Sequence, residues 1–309
     1  MEIGGYLEYE KYYGQEYHTG CLKLNTARNA LKYLIEARKI KKLWISKWNC
    51  SAILDTCRNS EINIGFFDLD VEFKPILPND YKQDDYVYVV NYYGQLPNMN
   101  INHLIVDNVQ AFYQRPQIGI DTIYTCRKYF GVTDGAYLYT TARLDRELKQ
   151  DSSYARISYL AGRFEHTGSD FYEQYQHNER LLNDLPLMKM SSFTENILSS
   201  IDYEFIRKRR EENFQYLHKT LGQYNLLNIR IPSGPFAYPL MLKDGCKIRR
   251  RLQLDKIYIA KLWPNVSQGQ EGILADNILP LPCDQRYTVS DMKYLADIVI
   301  AYISEGDQL

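Results

Sequence analysis

Lys128 lies in the segment Tyr124-Thr125-Cys126-Arg127-Lys128-Tyr129-Phe130-Gly131-Val132-Thr133-Asp134-Gly135-Ala136, downstream of a strand-like run, Leu104-Ile105-Val106-Asp107, that ends in a carboxylate. A lysine and a carboxylate brought to one site by successive βα units are what pyridoxal phosphate (PLP) chemistry requires. The amine condenses with the cofactor aldehyde, and the carboxylate keeps the pyridine nitrogen protonated. Taken singly, a loop lysine is usually a solvated charge and a strand-end aspartate is often only a cap for the helix that follows.

These side chains need a scaffold, and the hydrophobic pattern supplies one. Strands are predicted at Cys21–Leu24, Leu43–Ile45, Ile62–Asp68, Tyr86–Asn91, His103–Asp107, Thr122–Thr125 and Tyr137–Thr140. Between them, Ala30, Leu31, Leu34 and Ile35 recur at helical spacing with Asn25 or Thr26 as N-cap, and Ser51–Asn59 reads as a second helix. Short apolar strands alternating with helices and loops specify an α/β fold with a mostly parallel central sheet. Asn91, Asp107 and Thr125 fall at strand C-terminal ends, the edge where open α/β sheets bind ligands.

From about Ser152 the pattern turns to long helices, clearest in Asp202–Leu221, with Arg and Lys on one face and Ile206, Phe214, Leu217 and Leu221 on the other. The tail offers a strand at Phe236–Leu242, a short helix at Ile248–Leu254, apolar runs at 257–259 and 278–282, and a final helix from Ser290 to about Ile303. Two domains are expected: a large α/β unit over 1–201 and a small C-terminal α+β unit over 202–309.

Bulk properties narrow the partners. The 309 residues carry 37 basic and 38 acidic side chains, a formal charge of −1, so no global field collects nucleic acid or anionic lipid. Any anion must be held by a local arrangement. The six cysteines show no metal-ligand spacing, no signal peptide is recognisable, and no apolar run reaches the length of a membrane span. A cytoplasmic protein with reduced thiols is the expectation, which makes the sequons Asn49-Cys50-Ser51 and Asn265-Val266-Ser267 chance matches. The 28 tyrosines suit a polar cleft or an interface, and equally a general compositional bias.

Through most of its length the chain resembles the DegT/DnrJ/StrS type of sugar aminotransferase, a PLP-dependent group of fold type I. Asn25-Thr26-Ala27-Arg28-Asn29-Ala30-Leu31 is similar to the family's turn before a helix that receives the cofactor phosphate, which assigns Ala27, Arg28 and Asn29 to that group. Asp107-Asn108-Val109-Gln110-Ala111 resembles the Asp-x-x-Gln-Ala block, in which the Asp meets the pyridine nitrogen and the Gln lies near the ring hydroxyl. Thr125-x-x-Lys128 resembles the arrangement in which a hydroxyl contacts phosphate and the lysine binds the cofactor. Gly135-Ala136 falls at the family's Gly-Gly. Arg207–Arg210 matches its interdomain helix, and Ile278–Pro282 followed by Tyr287–Asp291 its closing signature.

The chain departs from the pattern at Ser46 (usually proline), at Ala136 (usually glycine), and near Cys50, where an aromatic or His commonly stacks on the ring; Trp48 and Tyr93 are the candidates to substitute. Leu187–Ser191 is a degenerate version of a segment that the partner subunit supplies to the site. The resemblance implies a cytoplasmic homodimer that moves an amino group from an amino-acid donor to a keto sugar, nucleotide-linked, in polysaccharide or amino-sugar biosynthesis. Alternatives are a sugar dehydratase, disfavoured because relatives that deoxygenate carry His at the lysine, and a PLP-binding protein of the same fold with non-transaminase or lapsed activity in a regulatory or binding role.

Overall fold

The computed structural model describes residues 3–264, 266 and 269–306, so Asn265 and Ser267 of the second sequon lie outside the described residues. In chain order the elements are β1 (Leu22–Leu24), α1 (Ala27–Ala37), β2 (Lys42–Ser46), α2 (Ser51–Asn59), β3 (Asn63–Leu69), β4 (Pro75–Ile76), β5 (Tyr86–Val90), β6 (Leu104–Asp107), β7 (Asp121–Thr125) and β8 (Ala136–Tyr139). There follow α3 (Ser158–Glu165), α4 (Tyr172–Asp184), α5 (Ser192–Leu198), α6 (Tyr203–Leu221), β9 (Ala237–Met241), α7 (Gly245–Leu254), α8 (Gly269–Asn277), β10 (Ile278–Pro282) and α9 (Val289–Gly306).

Eight strands form one sheet in the order β1-β8-β7-β6-β5-β2-β3-β4. The run from β7 to β3 is parallel, while β8 is antiparallel to both β7 and β1, and β4 closes the far edge antiparallel to β3. The order reverses between β2 and β5, which opens a crevice at the strand C-termini. Strands β6 and β7 are buried along their whole length, as the continuous runs Leu-Ile-Val-Asp and Asp-Thr-Ile-Tyr-Thr require of central parallel strands. A second sheet pairs β9 and β10 antiparallel in the C-terminal part.

Helix α1 starts where its cap chemistry dictates. Thr26 sits in an extended conformation and its side chain accepts from the Asn29 backbone N–H at 3.1 Å. Ala30, Leu31, Leu34 and Ile35 then bury one face, each large side chain worth about 1.5–3 kcal/mol. Helix α6 is capped by Asp202, which accepts from the Phe205 N–H at 2.9 Å. Its polar stripe is less uniform than the sequence suggests. Arg210 is buried, donates to the Pro235 carbonyl at 2.9 Å and to Gln285 Oε1 at 2.8 Å, and lies 4.5 Å from the Tyr129 ring centre. Gln285 in turn donates to the Tyr129 carbonyl at 2.8 Å, so the C-terminal part grips the residue next to Lys128.

Elsewhere the structure differs from the sequence expectation. The long helix expected at 202–221 is present as the 19-residue α6, but the three helices between Ser152 and it are short, with 8, 13 and 7 residues in α3, α4 and α5. Asp170 breaks the first pair by accepting from the Thr167 N–H and hydroxyl, a local turn that competes with helix. Residues 257–259 form no strand, and α8 and the two-residue β4 carry too little periodicity to be foreseen.

The loop bearing Lys128 is fixed from both sides. Gly135 has φ of +113°, a Cβ there would meet Cys126 and Thr194 at 3.2 Å, and its N–H donates to the Asn25 carbonyl at 2.6 Å. Only glycine suits both the dihedral and the space. Asp134, fully buried, accepts from the Ser191 N–H and hydroxyl, both at 2.8 Å, and from the Thr194 hydroxyl. Removing this carboxylate as Asp134→Ala should leave those donors unpaired and lower stability by roughly 3 kcal/mol. Urea unfolding followed by circular dichroism measures it, and an unchanged midpoint would show that the clamp is dispensable.

Candidate active site

The predicted site residues gather at the C-terminal edge of the sheet. Asp107 ends β6, 4% exposed, with Oδ2 accepting from the Tyr88 hydroxyl at 2.5 Å and Oδ1 from the Val109 N–H at 2.9 Å. Burial pushes the Asp107 carboxyl above the usual carboxylate range, and the Tyr88 hydroxyl, Lys128 and the Val109 N–H oppose that rise. Thr125 ends β7, buried, and its hydroxyl has no hydrogen-bond partner among the described residues.

Three residues later Lys128 sits on a single turn closed by the Tyr129 and Phe130 N–H groups donating to the Cys126 carbonyl, at 3.0 and 2.9 Å. Its side chain is open to solvent through the cavity mouth but is surrounded by protein on its other sides. That desolvation pulls the ammonium below the ordinary lysine value, while Asp107 acts in the opposite direction. Among the described residues no ion pair or hydrogen bond engages Nζ, and the Phe236 ring lies 5.7 Å away.

Helix α1 points its N-terminus at the same space. Ala27 and Arg28 line a cavity of about 490 Å³ together with Asp107, Thr125 and Lys128. Thr26 occupies the Asn29 N–H, which leaves the first N–H groups of the helix free for an anion. Burial and the neighbouring Arg127 both pull the Arg28 guanidinium down, and among the described residues its side-chain partner is the neutral Asn183. An anion would relieve both effects. The donor set, the free hydroxyl and the unpaired lysine opposite a buried carboxylate fit the phosphate, aldehyde carbon and ring nitrogen of PLP.

Two predicted residues stand elsewhere. Asn29 is turned inward and donates to Asn25 Oδ1 at 2.9 Å and to the carbonyls of Leu185 and Pro186. Gln110 accepts from the Tyr93 N–H at 2.9 Å, while its Nε2 is buried without a partner; neither residue lines the cavity. Nor do the two candidates for the ring stack. Trp48 is buried against Tyr92, rings 4.8 Å apart and 12° from parallel, with Trp263 edge-on at 5.0 Å. Tyr93 is held in the same aromatic cluster by Phe73. Cys50, Ile53 and Val109 face the cavity instead.

Sequence reasoning missed the roof. Tyr159, Arg163, Phe171, Tyr175 and Glu179 of the α3–α4 region close over the cavity from residues of this same chain. Glu179 pairs with Arg127, and Asn183 accepts from Arg28, so α4 is latched to the lysine turn and to the α1 N-terminus. The aromatic spacing Phe171, Tyr172, Tyr175 was the available signal. A second cavity of about 970 Å³ adjoins at Lys128 and extends between Arg163, Phe236, Tyr258 and Arg286. Lysine 128 therefore faces two connected spaces, one closed by α1 and one open toward the C-terminal part.

No protein-family model and no curated protein matches the chain. Solved structures do. A sugar aminotransferase from Micromonospora echinospora is 11% identical, with 90% of this chain and 86% of that one covered and a TM-score of 0.61. A Streptococcus pneumoniae protein described as a candidate sugar aminotransferase, in its PLP form, is 12% identical over 90% and 86%, with a TM-score of 0.63. A Helicobacter pylori aminotransferase involved in the biosynthesis of pseudoaminic acid is 14% identical over 91% and 86%, with a TM-score of 0.58. The chain has the fold of these proteins: fold type I, α/β, with a large, mainly parallel sheet.

The latch is separable from the rest of the fold. The Arg127–Glu179 pair is partly exposed, 18% and 32% by side chain, and so contributes on the order of 1 kcal/mol or less. Glu179→Ala should speed proteolytic cleavage within residues 166–171 by about 2- to 5-fold while the thermal midpoint stays within roughly a degree or two. Equal cleavage rates in mutant and parent would mean that α4 is held by other contacts.

Proposed function

We propose that this chain is a PLP-dependent aminotransferase that acts on a keto sugar, nucleotide-linked, with an amino acid as donor. The observation that carries the reading is Lys128 opposite the buried Asp107 in one cavity whose other wall is the free N-terminus of α1. The fold shared with sugar aminotransferases supports it.

Bound there, PLP supplies an aldehyde for amine capture and a protonated ring that withdraws electrons from the reacting carbon. The Ala27 and Arg28 backbone N–H groups, the Arg28 guanidinium and the Thr125 hydroxyl would bind its phosphate. Asp107 would hold the proton on the ring nitrogen, because a buried carboxylate is most stable beside a cation. Lys128 Nζ, unpaired in the cavity and with its ammonium drawn below the ordinary lysine value by the surrounding protein, would take the proton from the substrate carbon that bears nitrogen and deliver it to the carbon on the other side of that nitrogen. Tyr159, Phe171 and Tyr175 exclude water above it. Arg127 and Arg163 line both spaces and suit an acceptor that carries negative charge.

Within this reading, residues 1–201 carry the cofactor site and 202–309 form the smaller unit that closes on it. The enzyme works in the cytoplasm as a homodimer, in polysaccharide or amino-sugar biosynthesis; the degenerate Leu187–Ser191 segment is not the part offered to its twin, because Leu187, Met190 and Ser191 are buried in their own chain. Among the described residues no helix is long and apolar enough to cross a membrane, and no group of His, Cys, Asp and Glu is placed to hold a metal ion. A second reading, a cofactor-binding protein with lapsed turnover, draws on the missing aromatic stack: Trp48 and Tyr93 are packed away from the cavity.

Purified protein mixed with PLP should turn yellow, with a borohydride-fixable adduct on Lys128 that Lys128→Ala lacks. Asp107→Ala should keep the colour and lose amino-donor conversion by about 100-fold or more. Stopped-flow absorbance with a panel of amino acids reads both. Colour without any donor response selects the second reading, and a protein that never takes up PLP overturns both.

A further inference from the structure

One buried hydroxyl beside the site belongs to neither the resemblance nor the mechanism above. Tyr88 lies in the middle of β5, fully buried, in a strand flanked by β2 and β6. In the parallel register Tyr88 pairs with Ile105 and Val90 with Asp107, so Tyr88 stands one pleat before Asp107 on the same face of the sheet. Its ring spans that step and places the hydroxyl 2.5 Å from Asp107 Oδ2. The Val109 N–H takes Oδ1 at 2.9 Å, so one donor pins each carboxylate oxygen and the remaining lone pairs are left to the cavity. Among the described residues the Tyr88 hydroxyl has no other hydrogen-bond partner.

We propose that Tyr88 is a positioning residue: its hydroxyl fixes the direction of the Asp107 carboxylate and keeps that carboxylate the charged member of the pair. The assignment rests on the PLP reading for its purpose, since a ring nitrogen is what a pinned, ionised Asp107 would meet. The geometry itself does not depend on a cofactor. Lys128, from the turn after β7, is the cation that faces Asp107; Tyr92, which follows β5, also feels its charge, and Cys50 at the N-cap of α2 and Cys57 within α2 bear on Tyr88. The phenol is driven well above its ordinary value by burial and by Asp107, so it remains a donor across the working pH range. A charge-assisted hydrogen bond of this kind outweighs a neutral one about twofold.

The test is an NMR titration of the Asp107 side-chain carbon in cofactor-free protein, assigned by its loss in Asp107→Asn. Tyr88→Phe keeps the ring and deletes the donor, and should raise the Asp107 midpoint by about one to two pH units. Replacing Tyr88 with 3-fluorotyrosine, a stronger donor of nearly the same shape, should lower it. Opposite shifts in the two variants are not what a simple loosening of the sheet produces. If Tyr88→Phe does not fold, the fluorotyrosine protein decides alone: an unmoved or raised midpoint overturns the proposal, as does a wild-type midpoint in Tyr88→Phe. Because no cofactor is present, failure to retain PLP sinks the enzymatic reading and leaves this result standing.

Discussion

The site is organised around one electrostatic problem: a carboxylate is withdrawn from water at the end of a parallel sheet. Asp107 is almost fully buried, while the Lys128 ammonium that faces it keeps one side open to solvent. The Asp107 charge alone in that environment would cost several kcal/mol, and Lys128 lowers that cost without touching it. The rest of the local structure serves this arrangement. Tyr88 and Val109 pin the acid, the Cys126 carbonyl closes the turn under the lysine, and Gly135 and Asp134 anchor the far end of the lysine loop. The cavity wall adds Arg28, Arg127 and Arg163 against Glu179, so cations outnumber anions around a space large enough for a small ligand.

A likeness of 11–14% identity carries a fold and little else, so the residues themselves must argue the chemistry. They do so unevenly. The proposed phosphate end is well supplied by a capped helix, a free hydroxyl and an arginine without an acidic partner among the described residues. The proposed ring faces are less so, because the aromatic side chains nearest in sequence are consumed by the cluster of Trp48, Phe73, Tyr92, Tyr93 and Trp263. Aliphatic Ile53 and Val109, with Cys50, take that place. The roof is the chain's own addition: α3 and α4 close the cavity with aromatic side chains and are latched by polar contacts to the cations beneath.

Much was legible from the order of residues alone, where local chemistry and periodicity agreed. Thr26 as cap, the Leu31–Ile35 face, the buried runs of β5, β6 and β7, and the loop around Lys128 all follow from rules that act over a few residues. Placing Asp107 and Thr125 at strand C-termini was enough to predict that they share an edge with Lys128. Other features depend on partners distant in sequence. Arg210 reads as surface charge until Pro235, Gln285 and the Tyr129 ring surround it. Helix α8 buries Glu271 because the Leu69 N–H, some two hundred positions earlier, needs an acceptor. Trp48 could not be assigned to core or ligand before the position of Trp263 was known.

By itself, then, the sequence determined the alternation of elements, the sheet edge where the candidate site lies, and the lysine and carboxylate that line one cavity there, since each is written in spacing and side-chain type. Tertiary structure decided which side chains reach the cavity. Asn29 and Gln110, adjacent to site residues in the chain, turn away to satisfy backbone groups, while Tyr159, Arg163 and Glu179 arrive from far downstream. The reason is physical: buried hydrogen-bonding groups must be paired by whatever the packed fold brings near, and that choice is made in space rather than along the chain.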